Sequence, residues 1–169
     1  MTAFIRREFA VEDPDKTTTI RQDAPAPRPQ APGGGILYII GLPGSGMTSV
    51  AEHLGRELGL AVHKLPVSGA DEALTALLAA GPAVIEVPHK LLTGSAFRQR
   101  LAATGRVLYL MASVEAIAGR LNLSSEERER LGRQRTAYEP WFMQTLQLIA
   151  PADGPLAEVL SDVLERVRM

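Results

Sequence analysis

The chain contains no cysteine. Disulfides, thiolate metal sites and cysteine nucleophiles are thereby excluded, and nothing calls for an oxidising compartment. Net charge is nearly absent too, since 18 Lys and Arg against 19 Asp and Glu leave −1 at neutral pH. A nucleic-acid reader neutralises phosphates with a basic face, so this balance argues against a nucleic-acid partner. No stretch approaches the roughly 18 apolar residues that would span a bilayer. The first dozen residues carry Arg6, Arg7 and Glu8 and no apolar run, so they do not read as a signal peptide. The expectation is a cytoplasmic protein with no membrane and no nucleic-acid partner. His53, His63 and His89 share no metal-ligand spacing; His53 is expected on an exposed helix face and His63 in a structural role.

What is present fits one compact domain: 169 residues, 46% hydrophobic and 22% charged. The first 35 residues differ in character. Asp23 to Gly35 holds four prolines and ends in three glycines, which reads as an extended linker because proline removes backbone donors and glycine adds chain entropy. Upstream, Phe4, Ile5, Phe9 and Val11 are too few to bury a core. Residues 1–35 are therefore read as a flexible tail and linker able to dock a protein partner, and residues 36–169 as the domain.

From Ile36 the pattern alternates strand and helix. Ile36–Ile40 is a continuous apolar run, as a buried parallel strand requires. A helix over about Thr48–Leu58 follows, with Val50, Ala51, Leu54 and Leu58 on one face and Gly59 closing it. Strands are expected at Ala61–Leu65, Ala83–Val87, Arg106–Met111 and, weakly, Leu146–Ala150. Helices are expected at Asp71–Ala80, Ser95–Ala103, Val114–Leu121 and Pro155–Val167. Ser124 to Glu127 spells a capping box that opens a further helix. Glu126/Arg130 and Glu129/Arg133 are spaced for helical ion pairs within a face rich in arginine (Arg128, Arg130, Arg133, Arg135). Pro140 is expected to kink or interrupt that helix before Trp141 and Phe142, which are read as core aromatics. This alternation predicts an α/β fold, a P-loop NTPase-like parallel five-stranded sheet with helices on both faces. Ligands of such sheets sit beyond the carboxyl ends of the strands.

Gly41-Leu42-Pro43-Gly44-Ser45-Gly46-Met47-Thr48 lies between the first strand and the first helix. The pattern G-x-x-x-x-G-K-[ST] works because its glycines let backbone amides surround phosphate oxygens. The helix N-terminus, a lysine and a magnesium-binding hydroxyl complete it. Gly41, Gly44, Gly46 and Thr48 fit, with Ser45 and Ser49 flanking, and Thr48 is the candidate magnesium ligand. Methionine, Met47, stands where the lysine belongs, and a thioether offers no charge to a phosphate. ATP or ADP binding with magnesium remains open on this pattern, while ordinary phosphoryl transfer is not expected.

On these residues the chain resembles the shikimate kinases, P-loop kinases that phosphorylate a cyclohexene carboxylate in aromatic amino-acid biosynthesis. The likeness is carried by Ile36–Leu60, by Ala83–Leu121 with its Val-Leu-Tyr-Leu strand, and more loosely by Tyr138–Val167. The resemblance implies a nucleotide-base role for Arg120 and a lid over the span from Arg120 to Tyr138. The departures fall on the chemistry. The family's acidic pair after the second strand falls on Lys64 and Pro66, and its glycine triplet after the third on Val87, Pro88 and His89. The insert that carries its substrate-binding arginine is reduced to Asp71–Ala80, which has none. A retained fold without catalysis, a regulatory or scaffolding pseudokinase that binds nucleotide or phosphate, is the coherent reading. The alternative is an active kinase in which Lys64 or Lys90, at the same strand ends, supplies the missing charge on a flexible stem.

Overall fold

In this computed structural model the structure describes residues 35–169 and, ahead of them, only two short paired strand segments, Ala3–Phe4 and Arg6–Arg7. The expected tail and linker otherwise lie outside the described residues. Five parallel strands build one sheet: β1 (Ile36–Ile40), β2 (Ala61–Lys64), β3 (Ala83–Glu86), β4 (Arg106–Met111) and β5 (Leu148–Pro151), in the order β2-β3-β1-β4-β5. The central position of β1 explains its unbroken apolar sequence. Ile36–Ile39 pair with Ala83–Glu86 on one side, Leu37–Ile40 pair with Arg106–Tyr109 on the other, and Leu37 to Ile40 are all buried.

The helices are α1 (Met47–Leu58), α2 (Ala70–Ala80), α3 (Ser95–Thr104), α4 (Val114–Leu121), α5 (Ser125–Thr145) and α6 (Leu156–Arg168), with a 3₁₀ turn over His89–Thr93. From β1 the chain crosses outward through α1 to β2, and from β3 it crosses the other way through α3 to β4. Right-handed crossovers in opposite directions put α1 and α3 on opposite faces. Accordingly α1 packs with α6, while α3 packs with α5. Because the chain leaves β1 and β3 in opposite directions, a crevice opens between their carboxyl ends.

One close approach fixes how α1 lies on the sheet. A Cβ placed on Gly55 would stand 2.4 Å from Val62 Cγ2 and 3.0 Å from the Leu60 carbonyl. Val62 is branched and stiff, so it has little room to give. Gly55→Ala is expected to lower unfolding stability by about 1–3 kcal/mol, the usual cost of overpacking. Urea titration checks it, and a stability gain would show that α1 can shift freely.

The sequence expectations hold for every strand and helix within a few residues. Ser124 accepts from the Glu127 amide at 3.2 Å while Glu127 Oε1 accepts from the Ser124 amide at 2.9 Å, so the capping box forms as read. Pro140 does not interrupt its helix, which continues to Thr145. The reason is downstream packing: Phe142 is fully buried and stacks on Tyr109 at 4.7 Å, and Trp141 is half-buried with the Arg98 guanidinium 4.5 Å from its ring centroid. These contacts outweigh one missing backbone donor. With α5 extended, β5 starts at Leu148, two residues later than expected. The expected pairs Glu126/Arg130 and Glu129/Arg133 do not close within 4 Å; these side chains are exposed and hydrated, and the ion pair on α5 among the described residues is Arg135–Glu139 at 3.5 Å. His53 is half-buried, not exposed.

Candidate functional site: the crevice at the phosphate loop

The loop between β1 and α1 takes the shape its glycines permit. Gly44 and Gly46 have φ of +87° and +100°, a left-handed region that side-chain-bearing residues rarely enter. The Ser45 amide donates to the Leu42 carbonyl at 3.1 Å, which turns the loop toward α1. Gly46 is the N-cap of α1, and no side chain caps that end. The first-turn amides of α1 therefore have no partner within the helix and carry the positive end of its dipole. Gly46, Met47, Thr48 and Ser49 border a cavity of about 760 Å³. Its other walls are Lys64 to Val67 after β2 and Glu86 to His89 at the end of β3. This is the crevice the strand order demands.

Met47 does not project into solvent. It is half-buried and packs against the core, and its Sδ is 3.6 Å from where a Cβ on Gly41 would stand. The thioether thus lies back over the loop toward the end of β1. Ser45 is buried, and its hydroxyl finds no hydrogen-bond partner among the described residues.

Arg120 reaches the loop from α4. Its guanidinium donates to the Gly44 and Ser45 carbonyls, both at 3.4 Å, and to the carbonyls of Ala152 and of Gly154, the latter at 3.3 Å. It ties the phosphate loop to the β5–α6 connection. Beside it lies a second cavity of about 400 Å³ bordered by Gly46, Ser49, Pro155 and Leu156. Arg120, for which the resemblance implied a nucleotide-base role, thus has its donors engaged by backbone carbonyls.

The structure supplies one acid that the sequence reading passed over. Glu86 ends the otherwise apolar β3, is 5% exposed, and accepts a hydrogen bond from Thr48 Oγ1 at 3.0 Å. The sequence reading placed the magnesium-side acids after β2 only, where Lys64 and Pro66 stand. Only the strand order shows that the end of β3 adjoins the loop. The available signal was an acid closing an apolar run, Ala83-Val84-Ile85-Glu86. Thr48 and Glu86 are hard oxygen donors, and magnesium is commonly held by one or two such groups with water and phosphate filling its octahedron. The pair fits that ion. No cluster of three or more acids or histidines forms a metal cage among the described residues.

The two candidate cations separate clearly. Lys64 borders the same cavity as the loop, next to Glu86 in the sheet register. Lys90 is exposed on the 3₁₀ turn and is not among the residues bordering that cavity. His89 is buried, accepts from the Gln134 amide nitrogen across 3.0 Å, and meets Tyr138 edge-on at 4.7 Å. Burial, reinforced by the neighbouring Lys90 charge, lowers its pKa and keeps the ring neutral. The lid span expected between Arg120 and Tyr138 runs from the end of α4 through a turn at Asn122 into α5, whose Gln134 and Tyr138 rest on His89 in the loop after β3.

No protein-family model matches the chain, and no curated protein matches it by sequence. Solved structures do. A shikimate kinase from Acinetobacter baumannii in complex with shikimate superposes with a TM-score of 0.66 at 17% identity, covering 78% of this chain and 91% of that one. A deoxyadenosine kinase from M. mycoides with bound dATP gives 0.58 at 13% identity, covering 79% and 99%. A gluconokinase from Sinorhizobium meliloti 1021 gives 0.52 at 16%, covering 82% and 93%. The chain has the fold of the P-loop small-molecule kinases. That fold is the one the sequence resemblance anticipated. Among the described residues, no helix is long and apolar enough to cross a membrane.

Proposed function

We propose that this protein binds a nucleotide or phosphate on a kinase fold that has lost phosphoryl transfer, and that it acts as a regulatory or scaffolding pseudokinase in the cytoplasm. The observation that carries this reading is Met47, an uncharged side chain folded over the loop where a P-loop kinase places its lysine. Loop amides and the α1 dipole still favour an anion. They leave the charge that develops on a transferring phosphoryl group without its cation, and losing one such donor commonly costs roughly 10²–10³ in rate. In this reading residues 1–35 stand apart from the domain of residues 36–169 and dock a protein partner, in keeping with their proline- and glycine-rich composition. A coupled assay with ATP, magnesium and shikimate is expected to show no turnover. Rates on the order of 1–100 s⁻¹, ordinary for kinases, would overturn the proposal.

A second reading is favoured by two observations together, the Thr48–Glu86 hydrogen bond and the presence of Lys64 on the same cavity. An active small-molecule kinase would use Lys64 as the substitute cation, with Thr48 and Glu86 holding magnesium. Magnesium bound there would neutralise phosphate charge. Lys64→Ala separates the two readings: it abolishes magnesium-dependent ATP turnover in the second and has no turnover to remove in the first.

A further inference from the structure

The composition of the large cavity selects a class of ligand. Its accessible side walls are apolar, formed by Pro66 and Val67 on one side and Pro88 on the other, backed by the buried Leu65 and Val87. Two charges face it with opposite preferences. Glu86 at its floor is 5% exposed and accepts one hydrogen bond, from Thr48, whereas a carboxylate offers about four acceptor positions. That buried carboxylate repels a ligand carboxylate and calls for a donor. Lys64 and the positive end of α1 repel a ligand ammonium and draw an anion to the loop end of the cavity, away from Glu86. A neutral hydroxyl satisfies both conditions. No arginine borders the cavity among the described residues, so a ligand carboxylate finds no bidentate guanidinium partner there. A volume of about 760 Å³ suits a small organic molecule.

We infer that this cavity binds an alcohol with a predominantly apolar body, its hydroxyl donating to Glu86 and its body lying against Val67 and Pro88. The inference deepens the small-molecule-kinase reading of the same site, but the binding it describes requires no nucleotide. Calorimetric titration of the full chain with 3-phenylpropan-1-ol, 3-phenylpropanoate and shikimate, without nucleotide and with inorganic phosphate present to occupy the loop, tests it. The alcohol is expected to bind at least tenfold more tightly than either acid. Val67→Asn, at a position 56% exposed and so tolerant of change, should weaken the alcohol by threefold or more. Glu86→Gln, which retains an acceptor for Thr48, should narrow the gap between alcohol and phenylpropanoate by removing the like charge. Equal or tighter binding of either acid overturns the inference, as does an alcohol affinity unmoved by Val67→Asn. A parallel ATP titration reports on the loop alone. ATP binding with no alcohol binding sinks this inference and spares the nucleotide reading; the reverse spares this inference and sinks that reading.

Discussion

Met47→Lys is expected to tighten ATP binding by about tenfold or more. The new ammonium would start from the first turn of α1, where the thioether already lies back over the loop toward Gly41. It would meet phosphate charge in a partly desolvated crevice, where a charge-assisted contact contributes roughly 1.5–3 kcal/mol. Calorimetry with ATP and ADP checks this. An unchanged affinity would mean that another cation already fills the role. Lys64→Ala in both backgrounds identifies it: a loss of binding confined to the Met47 protein assigns Lys64, which borders the same cavity. If ATP binds neither protein, the loop is not a phosphate cradle and the proposed function fails.

Glu86→Gln should act in two opposite directions. The buried carboxylate accepts a single hydrogen bond, from a hydroxyl, which is poor compensation for leaving water. Its amide isostere still accepts from Thr48 without a buried charge. Unfolding stability is expected to rise by about 1 kcal/mol, or about 3 °C in Tm for a chain of this size. Stability lost to a functional site is commonly regained when that site is neutralised. The same substitution should remove the magnesium dependence of nucleotide binding, because a magnesium held at Thr48 would lose the one carboxylate beside it among the described residues. Thermal melts and ATP titrations with and without magnesium read both effects. A lower Tm would mean that Glu86 serves packing, and an intact magnesium dependence would place the metal elsewhere.

These two residues also mark how far the sequence reaches. The sequence alone determined the element order, because hydrophobic period, glycine stops and the Ser124 capping box are local signals. It determined the loop, because Gly41 to Thr48 is a local pattern that also supplies glycine at both positive-φ positions, Gly44 and Gly46. It determined that the lysine is missing, since that is a matter of residue identity at one place. Strand adjacency was not legible. Glu86 and Thr48 are 38 residues apart, and only the order β2-β3-β1 brings them within 3.0 Å. The same order gave Lys64 a wall of the cavity and left Lys90 outside it, although both stand at strand ends in sequence. Pro140 misled a local rule because the burial of Phe142 is a long-range effect that no helix propensity contains. Arg120 kept its place and changed its contacts, since the carbonyls it meets belong to the loop and to the turn after β5. Local chemistry thus fixed which parts are present; the tertiary fold, through non-local strand pairing and burial, decided which of them meet.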